Sequence, residues 1–150
     1  KNIEVAKIHA KNNGLNINYI NTSPEQVDIK ENFDVILCLE IVEHVENLNL
    51  FLEKSCQLLK KNGIIFVATI NRTFESYIKA IVGAEYILRW LPIGTHQWDK
   101  FLKPNEINGI LNDLSFKQLN QDGFKFNIFS QEWKKSNDCS VNYIISAKKN

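Results

Sequence analysis

The residues best suited to chemistry fall in two places: Glu40, Glu43 and His44 within FDVILCLEIVEHV (residues 33–45), and His96 directly after Gly94-Thr95. If the backbone turns helical after Leu39, the first three stand at i, i+3 and i+4 on one face, so two carboxylates and an imidazole converge. A mixed oxygen and nitrogen set of this kind suits a divalent ion with open coordination positions, Mg²⁺, Mn²⁺ or Fe²⁺, rather than structural zinc. The same residues also read as a solvated helix start, because acidic side chains are favoured beside the positive end of the helix dipole. His96 is open to three readings: a fourth metal ligand, a general base, or an ordinary loop histidine.

The elements that must position these groups are legible around them. Residues 33–39, FDVILCL, form a short apolar run rich in β-branched side chains, the composition of a parallel strand buried on both faces. Ligand crevices in open α/β sheets lie outside the carboxyl ends of strands, so the charges released after Leu39 mark a candidate site. Leu48, Phe51, Leu52, Cys56, Leu58 and Leu59 then recur at helical spacing, with Lys60-Lys61-Asn62-Gly63 as a C-terminal signal. Residues 64–70 (IIFVATI) predict a second buried strand. Upstream, Ile3, Val5, Ala6, Ile8, His9 and Ala10 make a helix face ending at Asn13-Gly14. Residues 15–20 (LNINYI) alternate as a strand, and Pro24 opens a helical turn. This order implies right-handed βαβ units and a mostly parallel sheet.

Phe74, Tyr77, Ile81, Ala84, Leu88 and Leu91 fall on one stripe of a helix over residues 73–92, with Glu75, Lys79, Glu85 and Arg89 opposite. The stripe is either a face packed on its own core or an interfacial helix lying on a lipid surface, with Lys79 and Arg89 as basic flanks. Pro104 leads a helix over residues 105–114. Beyond it the pattern is β: residues 116–120, a turn at Gly123, an aromatic stretch (Phe124, Phe126, Phe129, Trp133) and a last strand over residues 141–147.

With 150 residues, 44% of them hydrophobic, the chain amounts to one domain with a core. Eighteen basic residues nearly balance seventeen acidic ones, so nothing favours nucleic acid as a partner. No apolar run approaches the roughly 20 residues that span a bilayer. Cys38, Cys56 and Cys139 are odd in number, scattered and without a CxxC pair, which suits reduced thiols. The six glycines never form GxGxxG, and no G-x-S-x-G elbow supports a nucleophilic hydrolase.

Three stretches, FDVILCLEIVEHV, LLKKNGIIFVATINR and IVGAEYILRWLPIGTHQWDKFLKP, resemble the ubiquinone-biosynthesis O-methyltransferases of bacteria and mitochondria, class I enzymes dependent on S-adenosylmethionine. The resemblance spans essentially the whole chain, and VGAEYILR followed by P-x-GTH is its most specific part. It implies an α/β, Rossmann-like class I methyltransferase domain over residues 1–150, incomplete at the N-terminus, with the first two strands and the Gly-rich loop missing and a membrane-interacting helical insert at about residues 72–92. It implies that Leu39 contacts S-adenosylmethionine and that Thr22 and Ser23 lie near the adenine. Glu40, Glu43 and His44 match metal-ligand positions, with magnesium the first choice, and His96 matches a fourth or the base that takes a phenolic proton. The implied substrate is a polyprenylated phenol or quinol. The implied partners are an anionic lipid surface and other ubiquinone-synthesis proteins, and the implied location is the inner face of the inner membrane, or the matrix side in mitochondria. Without the missing strands, residues 15–20 lack a neighbour, strand 33–39 loses one pairing edge, and the isolated chain is expected to bind the cofactor poorly.

Overall fold

A computed structural model describes residues 2–29, 32–127 and 130–149. Helix α1 (Asn2–Asn12) stops where expected, with Gly14 adopting the left-handed conformation that ends many helices. Strand β1 (Phe33–Leu39) is followed by helix α2 (Leu48–Gln57), whose first turn is capped by the Asn47 side chain accepting from Leu50 N–H at 3.0 Å. The crossover returns the chain as β2 (Leu59–Ile70), parallel to β1.

Strand β3 (Phe116–Asn127) reaches β4 (Glu132–Ser136) and then β5 (Asn142–Lys149), which inserts antiparallel between β2 and β3. The five-stranded sheet runs β1-β2-β5-β3-β4. Among the described residues only β1 and β2 pair in parallel, so the expected mostly parallel sheet is a mixed one. The physical reason is the connection: the helical crossover α2 returns β2 in the sense of β1, whereas the chain reverses between β3 and β4, so β5, running in the sense of β4, is antiparallel to both of its neighbours.

Helix α2 and helix α4 (Pro104–Asp113) cover one face of the sheet. Leu52 and Cys56 of α2 meet Ile65 and Val67 of β2, Ile145 of β5, and Ile107 and Leu111 of α4 in a single apolar core. Pro104 occupies the first turn of α4, as its fixed φ and missing N–H allow.

Three expected elements fall differently. Residues 15–20 form no strand, because no strand lies alongside to receive the ladder bonds that alternation alone cannot supply. Asn62-Gly63 does not close α2, which ends at Gln57; the pair lies in a bulge early in β2, with Asn62 at φ 65°. Gly123 is not a turn: β3 runs through it, and a Cβ there would stand 1.9 Å from the Asp138 carbonyl oxygen. Of the aromatic stretch, Phe126 packs between Trp90 and Trp133, while Phe129 lies outside the described residues.

Candidate functional site

Among the described residues, two concave sites gather the side chains singled out above. The first is a groove of about 990 Å³ running along the free edge of β1, between the turn at residues 24–26 and α2. Thr22, Ser23, Leu37, Leu39 and Ile41 line it, so the three residues expected to meet the cofactor share one cavity. The turn is held by Gln26 N–H and Val27 N–H, which donate to the Ser23 carbonyl at 3.0 and 2.9 Å. The groove is largely apolar, and Leu37 is 61% exposed within it. An apolar cavity with a few hydroxyls at its rim suits a small organic cofactor with a flat ring.

At the end of β1 the expected helix does not form. Glu40 N–H still donates to Ala68 O at 2.9 Å, extending the β1–β2 ladder by one residue. Glu40 itself takes φ 50°, a conformation costing a non-glycine residue roughly 1 kcal/mol. Residues 42–44 then make a turn, with His44 N–H donating to Ile41 O at 2.9 Å. The helical i, i+3, i+4 geometry is therefore lost. Glu43 is buried and accepts from the Thr69 hydroxyl at 2.8 Å, whereas His44 is exposed. Desolvation, reinforced by the charge of Glu43 and a hydrogen bond to it, pushes the Glu40 carboxyl up to about 7. Among the described residues no three His, Cys, Asp or Glu side chains stand where they would hold a metal ion. Glu40 and Glu43 stand side by side, but His44 does not complete a three-ligand set with them, so the expected metal set of Glu40, Glu43 and His44 does not form a metal site as placed.

The second site is a small cleft of about 30 Å³ in which Glu43 and His44 meet Thr95, His96 and Phe101. His96, 53 residues beyond Glu43 and 52 beyond His44 in sequence, is thereby brought beside both. Its ring stands edge-on to Phe101, with centroids 5.8 Å apart at 70°. Its Nδ1 lies 2.9 Å from Glu85 Oε1.

Glu85 comes from the insert, which departs from the sequence reading in its geometry. A single α-turn, α3 (Phe74–Ser76), is closed by a capping box between Thr73 and Ser76 and runs into a π-helix, Tyr77–Ile87. The i→i+5 bond from Leu88 N–H to Gly83 O, 2.8 Å long, shows the wider turn. A stripe drawn at 3.6 residues per turn then no longer describes a face. Phe74, Tyr77, Leu88 and Leu91 of the expected stripe are exposed, and Glu85, expected among the outward polar residues, is turned inward at 1% exposure. Glu85 is the functional residue that helical spacing misses; its only sequence signal is a lone carboxylate inside the apolar run IVGAEYIL. Burial opposes its charge, but hydrogen bonds from the backbone of Gly94 and His96 and from the His96 ring hold the carboxyl below the usual range.

A family model described as a methyltransferase domain matches residues 1–137, and the chain belongs to that family. A ubiquinone biosynthesis O-methyltransferase of Pelagibacter ubique is 59% identical over 100% of this chain, which spans 62% of that relative's length. A second protein of that name, from Bartonella bacilliformis, is 49% identical over 99% of the chain and 60% of its own length. Among solved structures, a SAM-dependent methyltransferase of Thermotoga maritima aligns over 94% of this chain and 67% of its own at TM-score 0.66 and 17% identity. The N-methyltransferase NodS of Bradyrhizobium japonicum, solved with S-adenosyl-L-homocysteine, aligns over 97% of this chain and 61% of its own at TM-score 0.60 and 9% identity. The class I fold expected from the resemblance is thus the fold these methyltransferases share.

Proposed function

We propose that the chain serves in an S-adenosylmethionine-dependent O-methyltransferase of ubiquinone biosynthesis, acting on the hydroxyls of polyprenylated catechols or demethylubiquinols. The observation that carries this reading is the 59% identity, over the entire chain, to a relative bearing that name. The groove and the cleft supply the parts such a reaction needs. Thr22, Ser23 and Leu39 line the cavity in which the cofactor would lie. When bound, S-adenosylmethionine supplies an electrophilic methyl group on sulfur. With that methyl group offered to the phenolic oxygen, His96 would take the phenolic proton at Nε2. No step is assigned to a divalent metal, because Glu40, Glu43 and His44 do not form a metal site as placed.

The insert supports a lipid-surface partner for the same enzyme. Ile87 is 72% and Trp90 64% exposed, beside exposed Phe74, Tyr86 and Leu88. Apolar and aromatic side chains on one solvent-facing segment match an element that rests in a lipid interface, where a substrate with an isoprenoid tail resides. No helix among the described residues is long and apolar enough to cross a membrane. We place the chain at the inner face of the inner membrane, or on the matrix side in mitochondria, near other ubiquinone-synthesis proteins. These same exposed side chains favour a second reading, a lipid-surface-binding module without catalysis.

Titration calorimetry with S-adenosylhomocysteine separates the two. The titrated proteins are the chain itself and the chain fused behind the N-terminal region of the Pelagibacter ubique relative. Binding by either protein supports the methyltransferase reading, and binding by neither leaves the lipid module. For the surface, Ile87→Glu with Leu88→Glu should cut binding to vesicles of anionic phospholipid at least ten-fold, an effect on the order of 1.4 kcal/mol. Unchanged sedimentation with vesicles would remove the lipid partner.

A further inference from the structure

Glu85 is a carboxylate at 1% exposure inside a segment whose neighbours Tyr86, Ile87 and Leu88 face solvent. Desolvating a charge costs several kcal/mol unless hydrogen bonds compensate, and an apolar side chain would tie the segment down without that cost. The compensation here is complete and directed at a single short loop. Oε2 accepts from Gly94 N–H at 2.7 Å, Oε1 accepts from His96 N–H at 2.8 Å, and the same Oε1 lies 2.9 Å from His96 Nδ1. An ionised carboxylate has no proton to give, so Nδ1 must carry the hydrogen of that contact and Nε2 is the nitrogen with the free lone pair. Among the described residues no partner engages Nε2, and the ring lines the cleft with Glu43 and His44. Phe101 packs edge-on against the ring and restricts its rotation.

We propose that Glu85 is the positioning residue of His96, fixing the imidazole in the Nδ1–H tautomer and aiming Nε2 at the proton it removes. The proposal rests on His96 serving as the base of the methyl transfer described above. Through one carboxylate it ties the solvent-facing insert to the cleft: Gly94, Thr95 and His96 keep their places only while the π-helix presents Glu85 to them. The device is a carboxylate–histidine pair built from a helix and the loop that follows it, within eleven residues of chain.

The test uses the fusion with the Pelagibacter ubique N-terminal region, a phenolic quinol substrate and ¹⁵N-histidine NMR. The chain has three histidines, so His9, His44 and His96 are separable by single substitution. The wild-type spectrum should show His96 protonated at Nδ1, with a downfield proton protected from exchange; a ring protonated at Nε2 alone overturns the proposal. Glu85→Gln should erase that protected proton and lower kcat about 10²-fold, the size of a general-base contribution, with KM and S-adenosylhomocysteine affinity little changed. His96→Gln should be as slow, and the double variant no slower than His96→Gln alone, as expected of groups that act as a unit. A slow His96→Gln beside a fully active Glu85→Gln, or losses that multiply in the double variant, overturns positioning while sparing the base. A fully active His96→Gln overturns the base reading itself, and the proposal with it.

Discussion

The groove along β1 and the cleft at His96 are built on opposite principles. The groove is apolar and open: Leu37 and Leu39 stand exposed along a strand edge, with Thr22 and Ser23 at the rim, held by bonds local to their own turn. The cleft is polar and closed, with Glu85 committed to Gly94 and His96, and Glu43 committed to Thr69. An exposed apolar surface contributes little to the stability of the chain until something covers it, so its residues are free to serve a ligand. A buried carboxylate must be satisfied from the moment the chain folds, so its residues serve stability first and chemistry through it. A substitution in the groove should therefore show in binding, and one in the cleft should show in the fold.

The sharpest way to break this contrast is Glu85→Ala. Removing the carboxylate strips three hydrogen bonds, and we expect the 94–96 loop to open more easily by about 2 kcal/mol, roughly 30-fold in hydrogen exchange at the Gly94 and His96 amides. Exchange rates equal to the wild type would show that the network does not hold the loop.

Leu39→Glu probes the other side. Leu39 is 52% exposed, so the melting midpoint should move by no more than the equivalent of about 0.5 kcal/mol. In the fusion, S-adenosylhomocysteine affinity should nonetheless fall about ten-fold or more, about 1.4 kcal/mol. A large loss of stability with intact binding would invert the assignment of the two sites.

The smallest effect is expected at Glu40, which lies between the two. Its carboxyl is raised from an ordinary 4.5 to about 7, so the folded chain holds this proton more tightly than the unfolded chain. The stability it contributes is full below about 4.5 and is lost as pH rises to about 7. Glu40→Gln should flatten that part of the curve of melting temperature against pH, leaving the rest in place. An unchanged slope between pH 4.5 and 7 would show that the Glu40 carboxyl is neither desolvated nor held against Glu43.

Much of this organisation could be read from residue order. FDVILCL is β1, although as an edge strand it leaves Val35, Leu37 and Leu39 exposed where burial on both faces is expected; the helical run from Leu48 is α2, IIFVATI lies within β2, and Pro104 starts α4. Each depends on local chemistry: β-branched apolar runs, apolar residues at helical spacing, or a ring that fixes φ. The choice of His96 as a group of interest, and of Thr22, Ser23 and Leu39 as neighbours, also came from order, through the resemblance to a family whose fold the chain shares.

What residue order left open was decided by distant contacts. LNINYI has the alternation of a strand but forms none, because a strand exists only where another lies beside it. Gly123 resembles a turn residue, yet it lies within β3 because the Asp138 backbone approaches too closely for any Cβ. Glu40, Glu43 and His44 share a helix face in principle, but a positive φ at Glu40 breaks the helix: Glu40 stays beside the buried Glu43, which accepts from the Thr69 hydroxyl, and His44 is left exposed. Glu85 follows the same rule. By sequence it belongs to the polar side of an amphipathic helix, and only the wider turn of the π-helix, together with the N–H groups of Gly94 and His96, turns it inward. The sequence by itself determined which segments could be strands and helices, because those preferences act between near neighbours. Only the tertiary structure decided which polar groups are buried together, because that depends on partners brought from far along the chain.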